Sequence, residues 1–254
     1  MMILVVARAT DVAARRLASR WSRHDARVLT PRDLSRNGWL AGDVSPLAPT
    51  LVANGETARA SEVSAALVRI PSVSATDVSH VAPADRGYCA AEMTAFLAWW
   101  LSDLPCAVVN RPTPACLSGT DWAEPTWAIV AAELGLACRP AFWRSAGAVR
   151  QPAAVRRSTA SQPAAVRQSA DEPARRRVPV TVVGNRYVGT ASAQLGSQAV
   201  KLARAAGVEA LTVWFDRDDV DAHFLQARPW VDIDDPTIAD LLLERLLPPQ
   251  AAHP

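Results

Sequence analysis

Between Tyr88 and Gly135 the chain reads as a helix, a short buried strand, an Asn-Arg-Pro loop and a second helix. No other stretch restricts the fold as much. Glu92, Phe96 and Trp99 or Trp100 follow Tyr88 at helical spacing, with Tyr88 and Glu92 one turn apart on one face. Leu104 and Pro105 end that helix, because proline cannot continue it. Residues Cys106 to Asn110, C-A-V-V-N, form an apolar run of strand length. Pro112 and Pro114 stiffen the next loop and leave Asn110 and Arg111 to be aimed. A helix from Asp121 carries Trp122, Trp127, Val130, Ala131 and Leu134 on its apolar side and stops at Gly135.

The upstream segments have the same character. Met1 to Ala7 is a continuous apolar run, expected to be a buried parallel strand. Thr10 or Asp11 caps a helix whose Val12, Leu17 and Trp21 share a face, with Arg15, Arg16, Arg20 and Arg23 on the solvated side. Ala26 to Thr30 is a second strand. Thr50 to Ala53 is another, and Asn54-Gly55 is a hairpin turn. Ala65 to Ile70 is a strand ending at Pro71, with Arg69 as its one charge. Arg69 has two readings: a strand-end arginine, or an anion-facing arginine at the carboxyl end of a strand. Strands alternating with helices predict an open α/β sheet. The first strand lacks a G-x-G-x-x-G turn, so the dinucleotide fingerprint is absent.

Residues 146–177 differ in kind. Q-P-A-A-V-R occurs at Gln151 and again at Gln162, in a run of Pro, Ala, Ser and Arg without aromatics. Such a composition buries too little apolar area to offset the entropy of ordering, and disorder is expected. Structure resumes with a hairpin signature, V-P-V-T-V-V-G-N-R-Y-V-G. An amphipathic helix at Gly196 to Ala206, a strand at Ala210 to Phe215, an acidic turn and a partner strand F-L-Q-A-R-P follow. A last helix spans Ile238 to Leu247.

Composition excludes several functions. A net charge of +2 argues against a nucleic-acid surface. Lys201 is the only lysine, so any mechanism needing two is closed. The four cysteines contain no C-x-x-C pair, which leaves zinc without support and reads as buried free thiols. No window approaches the roughly 18 apolar residues of a membrane span. A cytoplasmic protein is expected, with a homodimer left open. Neither H-E-x-x-H nor G-x-S-x-G occurs. Asp216, Asp218, Asp219 and Asp221 crowd one turn without the glycine and final glutamate of a calcium loop, and read as a solvated acidic loop.

These pieces, in this order, resemble the ATP-grasp superfamily, in its RimK-like, peptide-modifying branch. The resemblance is carried by Arg69 before Pro71, the Tyr88/Glu92 helix, L-P-C-A-V-V-N-R-P, the helix ending E-L-G-L, V-T-V-V-G-N and F-L-Q-A-R-P. It implies an open-sheet pre-ATP-grasp-like α/β domain at 1–145, an insert at 146–177, a reduced α+β grasp-like domain at 178–247 and a tail at 248–254. It also marks departures. Active members hold ATP phosphates with lysines in a central subdomain, where this chain has the repetitive insert. They hold magnesium with a carboxylate and an asparagine in a pattern like F-L-E-x-N-P. Here Gln226 stands for the carboxylate, Arg228 for the asparagine, and Trp214 for an upstream carboxylate. Asp216, two residues on, would point to the same face as Trp214 and could supply one ligand.

The expected function is therefore a catalytically degenerate ATP-grasp-like protein acting as a binding or partner subunit, in a bacterial peptide-modification or natural-product pathway. Its ligand surface is expected at Arg69, Tyr88, Glu92, Asn110, Arg111 and Arg228, with a protein or peptide partner and no cofactor. One alternative is an active ATP- and magnesium-dependent carboxylate–amine ligase with arginines in place of lysines. Another is an enzyme of a different class on the same fold.

Overall fold

The computed structural model describes residues 2–42, 48–138 and 177–247. The expected insert at 146–177 lies outside the described residues except for Arg177, and so does the tail at 248–254. In chain order the elements begin with β1 (Met2–Val6), α1 (Val12–Arg20), β2 (Ala26–Leu29), β3 (Thr50–Ala53), β4 (Glu56–Arg59) and β5 (Val63–Val68). They continue with α2 (Arg86–Asp103), β6 (Ala107–Val109) and α3 (Glu124–Glu133). The second half holds β7 (Val178–Val183), β8 (Arg186–Val188), α4 (Ala193–Ala205), β9 (Ala210–Phe215), β10 (Phe224–Arg228) and α5 (Pro236–Leu246).

The expected α/β architecture is present as two main sheets and a hairpin. The first sheet is parallel, in the order β2-β1-β5-β6. The second is antiparallel, in the order β10-β9-β7-β8. β3 and β4 form the hairpin, turned by Asn54 and Gly55 at φ 54° and 77°. The Cβ-free Gly55 adopts this region without strain.

β1 is buried on both faces, as its unbroken apolar sequence requires. Met2, Leu4 and Val6 pack toward α2 and the β3–β4 hairpin. Ile3 and Val5 pack toward α1 and α5. Asp11 caps α1 by accepting from the Ala14 amide at 2.9 Å. Ala14, Leu17 and Ala18 form its buried face, while Val12, expected there, is exposed in the first turn. In the second sheet Val180, Val182, Leu211 and Val213 pack against α3 and α4.

The division expected near residues 145–178 is crossed by packing. Ile238, Leu241 and Leu242 of α5 share a core cluster with Ile3, Val5 and Leu17 of the first half. Each such side chain contributes roughly 1.5–3 kcal/mol by burial. Asn110, just after β6, makes a second join. Its amide nitrogen donates to the Ala210 carbonyl at 2.7 Å, and its oxygen accepts from the Glu209 and Ala210 amides at 2.8 and 2.9 Å. The residue is 4% exposed and has φ 55°, a region asparagine tolerates better than most. Gly119 is needed beside it, because a Cβ there would lie 2.8 Å from the Asn110 Cβ.

Replacing Asn110 with alanine leaves the buried carbonyl and amide of Ala210 and the part-buried Glu209 amide without partners. Chemical denaturation should show a loss of about 3 kcal/mol or more, at roughly 1–3 kcal/mol for each orphaned group. A loss below about 1 kcal/mol would mean that the two sheets are joined mainly by apolar packing.

Candidate functional site

The parallel sheet reverses its order between β1 and β5, since one connection leaves β1 toward β2 and the next leaves β5 toward β6. Open α/β sheets place ligands in the crevice outside the carboxyl ends of the strands at such a point. Arg8 follows β1 there, and Arg69 and Pro71 follow β5. One face of the antiparallel sheet meets this edge. Cross-strand partners share a face, and Gln226 is opposite Trp214 while Arg228 is opposite Thr212. The result is a cleft of about 550 Å³ whose walls include Arg8, Ser118, Trp214, Gln226, Arg228 and Trp230. An adjoining cavity of about 560 Å³ lies beside Asp11, Arg69, Thr181, Thr212, Trp214 and Trp230.

Arg69 lies one residue past its strand and is 6% exposed. Its Nε donates to Asp11 at 3.0 Å, and a terminal nitrogen donates to the Val231 carbonyl at 3.2 Å. The guanidinium stacks on Trp230, 4.2 Å from the ring centroid, in a cation–π contact. Asp11 therefore has two tasks, since one oxygen caps α1 and the other holds Arg69. Of the two readings of Arg69, the strand-end arginine fits these contacts.

The other expected site residues divide. Arg111 is not left free to be aimed by its proline loop. It folds back on the end of α2 and donates to the carbonyls of Leu101, Ser102, Leu104 and Cys106 at 2.8–3.3 Å. This is the cationic C-cap that a helix end attracts. Asn110 is fixed to β9 as described. Tyr88, 73% exposed, and Glu92 lie on the outer surface of α2 and do not line the cleft. Arg228 and Gln226 do line it.

Asp216 falls beyond the end of β9. Its side chain, 3% exposed, accepts from the His223 amide at 2.8 Å, pairs with Arg217 at 3.5 Å and lies 3.5 Å from the His223 imidazole. It closes the turn between β9 and β10 and is not part of the cleft wall. The expectation that it shares the outward face of Trp214 fails because the strand ends at Phe215. Trp214, Gln226 and Arg228 do not suit magnesium, which wants hard oxygen donors and above all carboxylates. A guanidinium has no lone pair to give and repels a cation.

The cysteines are unpaired, with Cys116 buried and Cys89, Cys106 and Cys138 half-buried. Burial pushes the Cys106 and Cys138 thiols above their ordinary range, which keeps them protonated and poorly nucleophilic. Among the described residues no group of three His, Cys, Asp or Glu is placed to hold a metal ion. No helix among them is long and apolar enough to cross a membrane.

Neither a family model nor a curated protein matches the sequence. Solved structures do match. The macrocyclase MdnC of Microcystis aeruginosa MRC, bound with the precursor peptide MdnA, superposes with a TM-score of 0.67 at 13% identity. That match covers 98% of this chain and 100% of the other. The macrocyclase MdnB of the same organism gives 0.65 at 14% identity, over 97% and 99% of the two chains. The ATP-grasp ligase PsnB, complexed with a minimal precursor, Mg and ADP, gives 0.61 at 15% identity, over 96% and 98%.

The chain has the ATP-grasp fold.

Within that fold the sequence flagged Gln226, Arg228 and Trp214 but missed Arg8, Ser118 and Trp230. Arg8 and Ser118 are ordinary loop residues until the β1–β5 register and the bond from the Leu117 amide to the Pro71 carbonyl bring them together. Trp230 carried a signal, since it follows the F-L-Q-A-R-P strand by one residue past its proline.

Replacing Arg69 with methionine leaves Asp11 half-buried without its cation, a change that typically costs about 3–5 kcal/mol. The expected outcome is a large fall in melting temperature, partly recovered by adding Asp11→Asn. Unchanged stability in Arg69→Met would return Arg69 to the set of candidate ligand residues. Replacing Arg111 with methionine should cost about 1–3 kcal/mol and speed hydrogen exchange at the end of α2. Unchanged exchange there would show that the cap contributes little.

Proposed function

We propose that this protein is a catalytically degenerate ATP-grasp-like binding protein, working as a partner subunit in a peptide-modification pathway. One observation carries the reading: the sheet face at the cleft presents Trp214, Gln226 and Arg228 together, side by side on β9 and β10. A tryptophan offers a divalent cation no oxygen, a guanidinium repels it, and the neutral Gln226 amide oxygen alone does not replace a set of carboxylates. The only lysine, Lys201, is exposed on α4 and does not line the cleft. Peptide as the bound partner is supported by the neighbours, since MdnC and PsnB were each solved with a precursor peptide.

Titration with ATP and magnesium, by calorimetry and thermal shift, tests the loss of the metal site. No magnesium-dependent response is expected. A ligand at 100 times its dissociation constant raises stability by about 2.7 kcal/mol, so even modest binding would be visible. A clear rise with ATP and magnesium would establish the alternative, an active ligase with a rearranged site. For the partner, the tagged protein purified from its native host should carry a peptide identifiable by mass spectrometry. Repeated recovery of the bare chain would count against a binding role.

A further inference from the structure

We infer that the cleft is a metal-independent oxyanion site, in which guanidinium groups do directly what a bound cation would otherwise do. The inference rests on the reading that the magnesium ligands are lost, and it names the chemistry that replaces them. The cleft gathers Arg8, Arg177 and Arg228 around one space of about 550 Å³, against the single carboxylate of Asp121 on the same wall. Arg8 is held in place by Asp77 and by the Ser72 carbonyl, each at 3.3 Å. Neither Arg177 nor Arg228 makes an ion pair with a described residue. Glu124 joins Asp121 only in the neighbouring cavity below Arg228, which also contains Trp127.

Three features favour an oxyanion over a cation or a neutral ligand. With Arg8 paired to Asp77, positive charge still exceeds negative charge around the space, Arg177 and Arg228 against Asp121. Guanidinium forks bind carboxylate and phosphate through paired, charge-assisted hydrogen bonds. Arg228 also sits on a sheet strand, followed at once by Pro229, so its backbone is fixed before any ligand arrives. Trp214 and Trp230 form flat apolar walls beside these cations. Trp230 already bears the Arg69 guanidinium, so its ring is oriented by a contact that no ligand needs to make. The ligand is thus an oxyanion joined to an apolar or planar body. A peptide carboxylate and a phosphate ester share that chemistry.

The test is titration in EDTA with two probes, inorganic pyrophosphate and a hexaglutamate peptide, followed by tryptophan fluorescence and calorimetry. Saturable binding of at least one probe is expected, weakening as salt is raised. Which probe binds identifies the source of the oxyanion. Arg228→Gln and Arg177→Gln should each weaken binding about tenfold or more, as expected for a lost hydrogen bond between charged groups. Arg204→Gln, on the exposed side of α4, should leave it unchanged. Melting curves check that each variant is folded, and Arg177→Gln carries the test if Arg228→Gln is not. No saturable binding of either probe, or equal losses in Arg228→Gln and Arg204→Gln, would overturn the inference. That failure would leave the reading of a lost magnesium site intact. A magnesium-dependent ATP response would sink that reading without touching the result in EDTA.

Discussion

The Arg69 guanidinium is the contact on which the geometry of the cleft depends. It is a buried charge, and a buried charge is tolerated only when paired and hydrogen-bonded. Its partners come from distant places: Asp11 at the start of α1, the Val231 carbonyl and the Trp230 ring beyond β10. Satisfying one cation therefore fixes the first helix, the end of β5 and the segment after β10 relative to each other. Asn110 does the same with neutral groups on the other side, tying the end of β6 to the start of β9. Between these two fastenings, the carboxyl edge of the parallel sheet is held facing one face of the antiparallel sheet.

The walls of the cleft follow from strand register. A strand alternates its side chains between two faces. Leu211, Val213 and Phe215 go to the core with α3 and α4, so Thr212 and Trp214 must go to the other face. The facing positions of β10 then bring Gln226 and Arg228 to the same side. Strand register alone thus decides that Thr212, Trp214, Gln226 and Arg228 share one face.

Much of the fold was legible because local signals agreed with each other. The continuous apolar run of β1, the Asn54-Gly55 turn and the hairpin signature of β7 and β8 each pointed to the element found there. The site was less legible. Arg69, Asn110 and Arg111 stood out as polar residues at strand ends, where ligands gather, but the same positions are where the two halves must be joined. A sequence cannot say whether an arginine near a strand end meets a ligand, a carboxylate 58 residues away or the carbonyls of the preceding helix. Those distances are set by tertiary packing. Asp216 shows the limit at smaller scale: alternation placed it beside Trp214, but the strand stops at Phe215 and the carboxylate turns to bind the His223 amide.

The sharing of one core cluster by α5 and β1 has a consequence for the order of events during synthesis. Ile3 and Val5 are made well over 200 residues before Ile238, Leu241 and Leu242, which share their core. Chains emerge at about 5–20 residues per second, so the α5 side of the first sheet stays incompletely covered for on the order of ten seconds or more. During that interval the nascent chain presents a sticky apolar strip, a natural handhold for chaperones. Only when α5 has been made is the packing of the first strand complete.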